Sequence, residues 1–165
     1  MRVFFKIAER LLEETRKDLR RAHPFAAERV GFLLCRPTAL AYDEILILAH
    51  SFHAVADEDY LDDPRAGATM GPDAIRKALE IAYNQHTSMF HVHIHEHRGK
   101  PGFSAIDSKE TSRFVPDFWN VEPYLPHGAI VLSEDSAVGR CWLPDISGPY
   151  EISRLTAVGV PMRRL

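Results

Sequence analysis

The sequence predicts a three-layer α/β domain, with helices packed around a mostly β scaffold. A chain of 165 residues with 45% hydrophobic content can bury one ordinary core and is too short for two, so we expect a single domain over residues 1–165. Short apolar runs typical of buried strands recur along the chain, and amphipathic stretches separate several of them. Interleaved strands and helices favour a layered α/β architecture.

The first fifty residues predict a strand, a helix and a pair of strands. Residues 1–6 are apolar enough for a short strand. Apolar residues then recur at helical spacing from Ile7, and this helix should end near His23, because a residue that precedes a proline is disfavoured in a helix. Two short apolar runs, at residues 30–35 and 45–48, are typical of buried strands and should pair as neighbours.

The rest of the chain predicts an acidic loop, two helices and four strands. Residues 54–70 carry several acids and no apolar period, which indicates a loop. One helix should start at Gly71-Pro72-Asp73 and another at Ser104. The four strands are expected at residues 89–95, 129–132, 138–143 and 152–158.

Charge and composition argue against several classes of partner. The net charge is −3, and the 20 lysines and arginines are scattered, so we expect no nucleic-acid partner. No apolar run is long enough to span a bilayer, so we expect no membrane contact. The N-terminal residues lack the pattern of a signal peptide, so we expect a cytoplasmic location. Cys35 and Cys141 lie in apolar runs and should be buried free thiols.

Histidine is the unusual feature of the composition. Four of the nine histidines fall within residues 91–97, where they alternate with other residues. In a strand, all four would lie on one face, with Val92 and Ile94 on the other. Two such histidines have Cα atoms about 7 Å apart, so both imidazoles can reach one ion at about 2.0–2.1 Å. The pattern predicts a metal site, although a solvated strand face with histidines would look the same.

A Gly/Pro-rich loop after the histidines ends in a Ser-x-x-Asp motif, Ser104 to Asp107. The loop would let the chain double back over the histidine face, and Asp107 would then be a third metal ligand. The same motif is also typical of a helix N-cap. Both interpretations can hold together, because Ser104 can cap a helix whose first turn carries Asp107 towards the metal.

Three motifs together resemble the JAMM (JAB/MPN) family of zinc metallopeptidases: the His-x-His strand, the Ser-x-x-Asp and an upstream Glu-x-x-Gly-x-Leu, which runs from Glu28 to Leu33. The resemblance covers most of the chain, from about residue 22 to about residue 143. It implies the three-layer, cytidine-deaminase-like MPN fold, with a central, mostly antiparallel or mixed β-sheet flanked by helices.

The resemblance also implies roles for individual residues. Glu28 matches the general base and Ser104 the group that stabilises the oxyanion, while two histidines and Asp107 match the zinc ligands. We assign His93 and His95 as the histidine pair, which leaves eight residues before Ser104, one more than the family pattern. His91 and His97 are the alternative ligands.

The function implied by the resemblance is zinc-dependent hydrolysis of a peptide or isopeptide bond. The substrate class would be the C-terminal tail of a ubiquitin-like or sulfur-carrier protein. The alternative is a catalytically inactive MPN domain that serves as an interaction scaffold. Hydrolysis that depends on Glu28 would separate the two.

Overall fold

Strands make up most of the regular structure. The computed structural model describes residues 1–63, 67–144, 146 and 148–165. Its strands are β1 (Arg2–Ala8), β2 (Val30–Ala41), β3 (Glu44–Ala54), β4 (Tyr60–Leu61), β5 (Thr69–Met70), β6 (Ser88–Ile94), β7 (His127–Leu132), β8 (Ala137–Trp142), β9 (Tyr150–Val158) and β10 (Arg163–Arg164). Its α-helices are α1 (Glu9–Leu19), α2 (Pro72–Gln85) and α3 (Ala105–Phe114).

Seven of the strands close into a mixed barrel. The strand order is β1-β3-β2-β6-β7-β8-β9, and β9 pairs back onto β1. β1 runs parallel to both of its neighbours, β3 and β9. The predicted three-layer α/β sandwich, and with it the cytidine-deaminase-like MPN sheet flanked by helices, is therefore wrong. The apolar alternation in β1 shows which of its faces is buried, but it carries no information about which strands bind its two edges.

The barrel interior and α1 form one hydrophobic core. Val3, Phe5 and Ile7 alternate along β1 and are buried in the same cluster as Phe90 and Val92 of β6. α1 contributes two leucines to this cluster, at positions 12 and 19. The helix thus packs on the barrel core rather than in a separate layer.

A second core covers the outer face of β2 and β6. α2 supplies three buried alanines, at positions 74, 78 and 82, which share a cluster with Phe32 and Leu34 of β2 and with Met89 of β6. β6 is buried over its whole length for this reason. Because side chains alternate along a strand, His91 and His93 lie on the same outer face as Met89.

Several local predictions are confirmed and others are wrong. α2 begins at Pro72 and α3 follows Ser104, as predicted. β2 and β3 pair as neighbours, as predicted; they run antiparallel, and both are longer than their apolar runs. α1 ends at Leu19, before His23, because its last buried position is Leu19. The acidic segment is not all loop, since β4 and β5 pair within it.

Both cysteines are free and buried in the barrel core, as predicted. Burial raises the pKa of the Cys141 thiol to about 12 and also raises that of Cys35. These thiols stay protonated and act as small apolar side chains. Among the described residues, no helix is long and apolar enough to cross a membrane.

His127 connects β7 to β6 and to the chain that precedes β7. Its Nδ1 accepts a hydrogen bond from the Met89 backbone N–H at 3.1 Å, and its Nε2 lies 3.2 Å from the Glu122 carbonyl oxygen. This pattern requires a neutral ring with its proton on Nε2. Burial lowers the pKa of His127 to about 4. An unfolded chain binds the proton at a pKa of about 6.5, so acid favours unfolding.

We expect the free energy of unfolding to fall as the pH decreases from about 6.5 to 4, with a contribution from His127 on the order of 2–3 kcal/mol. Urea denaturation at several pH values measures it. His127→Asn is the control, since its Oδ1 can accept the Met89 N–H in place of Nδ1 and the amide does not titrate. A pH dependence equally steep in the variant would contradict this role of His127.

Candidate metal centre

His93 and His95 point their ring nitrogens at one place. His93 is the second-last residue of β6 and is 2% exposed. His95 directly follows the strand, and its backbone N–H donates to the Leu132 carbonyl at 2.9 Å. The two Nε2 atoms are 3.2 Å apart. On a tetrahedral zinc ion with Zn–N bonds of about 2.0–2.1 Å, two nitrogens lie roughly 3.3 Å apart. The spacing of this pair therefore fits one shared ion.

Asp107 lies beside both imidazoles. Its Oδ1 is 3.5 Å from Nε2 of His93, and its Oδ2 is 3.8 Å from Nε2 of His95. Burial disfavours its charge, but hydrogen bonds from His93 and Ser104 and the charge of His93 hold the pKa of Asp107 well below its ordinary value. Asp107 is therefore a carboxylate, as a metal ligand must be.

Ser104 caps α3 and fixes Asp107 at the same time. The Ser104 Oγ accepts from the Asp107 N–H at 3.0 Å, and the Ser104 N–H donates to Asp107 Oδ2 at 2.7 Å. This reciprocal pair is a capping box. The capping interpretation of the Ser-x-x-Asp motif is confirmed, and the cap also orients the Asp107 carboxylate towards the histidines. The role of Asp107 as a metal ligand stays a prediction.

Glu28 is the second carboxylate at the histidine pair. The structure brings together one ligand atom each from Glu28, His93 and His95, and these three atoms lie within 4.8 Å of one another. A triad of this kind could hold a metal ion. The antiparallel register of β2 and β6 explains this proximity. Val30 pairs with His93, so Glu28, two residues before Val30, comes next to His95, two residues after His93.

The acidic segment holds the start of β2 in place. The Glu28 N–H donates to the Gly67 carbonyl at 3.0 Å, and a Cβ at Gly67 would lie 2.8 Å from Cδ of Glu28. Arg29 pairs with Asp57 at 2.6 Å, and the Tyr60 hydroxyl accepts from the Val30 N–H at 2.9 Å. The sequence did not indicate a role for Gly67, because a single glycine in a loop does not show which residue will pack against its backbone.

The alternative histidines lie outside this group. His91 is buried edge-on against Phe32 and Phe114, with ring centroids 5.8 and 5.2 Å away, and burial lowers its pKa to about 3. His97 is exposed, and its Nδ1 lies 2.9 Å from the Arg98 carbonyl. The ring centroids of His93 and His95 are 4.9 Å apart. This distance is shorter than the one between His91 and His93 or between His95 and His97.

The donor set fits a zinc ion. Imidazole nitrogens and carboxylate oxygens are ordinary zinc ligands, and three of them would leave a fourth position for water. The Nδ1 atoms of His93 and His91 are buried without a hydrogen-bond partner among the described residues. His93 would therefore make its main polar contacts through Nε2, at the place where the other donors converge.

No protein-family model matches this chain, and no curated protein matches it. Membership of the JAMM family therefore rests on the motif residues and stays a proposal. The triad of Glu28, His93 and His95 is not by itself the JAMM ligand set, in which the aspartate and not the glutamate binds the ion.

Proposed function

We propose that the protein is a JAMM-type, zinc-dependent hydrolase of peptide or isopeptide bonds. The observation that carries the proposal is the convergence of Nε2 of His93, Nε2 of His95 and the Asp107 carboxylate within 3.2–3.8 Å, with Glu28 alongside. In the proposal, the two histidines and Asp107 hold the ion and leave one position open. Three ligands and an open position are typical of catalytic zinc sites.

Bound zinc would lower the pKa of a coordinated water to about 7 and polarise a carbonyl. Glu28 is the general base in this scheme. Its carboxylate would take the proton of the attacking water and later pass it to the leaving amine. Gly67 lies close to this carboxylate, since a Cβ at Gly67 would be 2.9 Å from Oε2 of Glu28.

Ser104 is the proposed oxyanion donor. Its Oγ accepts from the Asp107 N–H, so its own proton is available to a developing negative charge. Ser104→Gly should keep most of the cap, which glycine supports at a cost of a few tenths of a kcal/mol, and should lower kcat roughly 10²- to 10³-fold. Ser104→Ala should also lose about 1 kcal/mol of stability.

Urea denaturation and steady-state kinetics on both variants separate the two roles of Ser104. Full activity in Ser104→Gly would show that Ser104 only caps the helix.

The substrate class in the proposal is the extended C-terminal tail of a ubiquitin-like or sulfur-carrier protein. The test uses ubiquitin-like fusions that carry a reporter on the tail, with the purified protein and added zinc. We expect cleavage at the tail, loss of cleavage on chelation and its return with zinc. Zinc uptake without cleavage of any tail would favour the scaffold alternative, and no zinc uptake would refute both the metal site and the enzyme.

The proposal places the protein in the cytoplasm. Reduced thiols are the norm in that compartment, and two free buried cysteines are compatible with it. Fractionation of cells that express a tagged chain would test this location.

A further inference from the structure

α1 carries a charged residue on its buried face. Leu12, Arg16 and Leu19 are spaced four and three residues apart, which places them on one face of the helix, and Arg16 is only 8% exposed. Its Nη2 donates to the Ser133 carbonyl at 3.0 Å, and its Nε is buried without a partner. A buried charge without a paired carboxylate is costly, and an apolar residue would suit this position better. The position indicates a role for the charge.

Arg16 lines a groove with an excess of positive charge. The groove has a volume of about 460 Å³ and lies between α1, β10 and the end of β7, where Arg16, Lys17, Arg20 and Arg163 face Glu9, Glu13 and Glu134.

Two of the acids in the groove have partners. Glu9 pairs with Arg163, and Glu134 lies 3.9 Å from Arg98, whose Nε is nearer to Asp135, at 3.5 Å. Among the described residues, Arg16, Lys17 and Arg20 form no ion pair, so three cations face one unpaired acid, Glu13. Besides its burial, the nearness of Arg20 and Arg163 lowers the pKa of Arg16.

We propose that this groove binds the phosphate group of a small molecule. The lining of the groove carries four cations and three acids, so its net positive charge favours an anion such as phosphate, which carries about −1.5 to −2 near pH 7. The planar guanidinium of Arg16 is suited to phosphate oxygens, and an anion would relieve the repulsion among the cations. The inference does not rest on the proposed hydrolase function.

The test is isothermal titration with inorganic phosphate, before and after chelation of metal, since zinc at the histidine pair could itself bind phosphate. We expect one site per chain in both preparations. Arg16→Met should bind roughly ten- to a hundredfold more weakly, because one charge-assisted hydrogen bond is lost. Methionine suits the apolar face, so this variant should fold. Lys109→Met, which removes a positive charge on α3 outside the groove, should bind like the wild type.

Lys17→Met combined with Arg20→Met is the second test, in case Arg16→Met fails to fold. It changes exposed side chains only and should also weaken binding. Sulfate is the matched ligand: the affinity for phosphate should rise with pH as the phosphate dianion forms, whereas the affinity for sulfate should not show this rise. Equal weakening in Lys109→Met would mean general charge attraction and would overturn the site, as would the absence of saturable binding to the wild type.

Discussion

Replacing His93 with alanine is expected to abolish stoichiometric zinc binding. Changing a residue that merely supports a zinc ligand weakens metal binding about 10- to 100-fold, so loss of a ligand should exceed that range. Elemental analysis of zinc per purified chain measures the effect, and circular dichroism shows whether the barrel has folded. The wild type should hold close to one zinc.

His91→Ala is the matched control for this experiment. His91 lies on the same strand and the same face, and it is buried to 6% exposure, so its loss creates a similar cavity. We expect this variant to keep its zinc. Loss of zinc from His91→Ala with retention in His93→Ala would move the site along β6, and a folded wild type that takes up no zinc would refute the site.

Glu28→Gln is expected to lower kcat by about 10²- to 10⁴-fold while zinc stays bound. Glutamine keeps the size and polarity of the side chain, so the contact with Gly67 and the start of β2 should survive, whereas an amide cannot take the proton of an attacking water. Kinetics on a cleavable ubiquitin-like fusion and zinc analysis of the same sample measure the two effects. Glu110→Gln, on the exposed surface of α3, is the control and should behave as the wild type.

The zinc content of this variant also decides which carboxylate is the ligand. Retained zinc in Glu28→Gln and lost zinc in Asp107→Asn would fit the proposed ligand set of His93, His95 and Asp107. The opposite result would assign Glu28 as the ligand and leave the reaction without the proposed base. Full activity in Glu28→Gln would contradict its role as base.

Local features of this protein follow from the sequence because their causes lie within a few residues. His93 and His95 are two apart, and a strand places such residues on one face, so their proximity needs no tertiary information. Pro72 and Ser104 begin helices through the fixed φ of proline and a side-chain cap. The spacing of Leu12, Arg16 and Leu19 likewise places the arginine on the apolar stripe of α1.

Features that join distant parts of the chain were decided by the tertiary structure alone. β1 binds β3 on one edge and β9 on the other, which turned an expected layered sheet into a barrel. The contact between Gly67 and Glu28 and the hydrogen bond between Ser133 and Arg16 also join residues that are far apart in the sequence. An apolar period specifies which face of an element is buried, but backbone hydrogen bonds form equally well with any neighbouring strand. The sequence alone therefore determined which chemical groups the candidate site contains. The arrangement of these groups in space depends on strand pairings that only the folded chain shows.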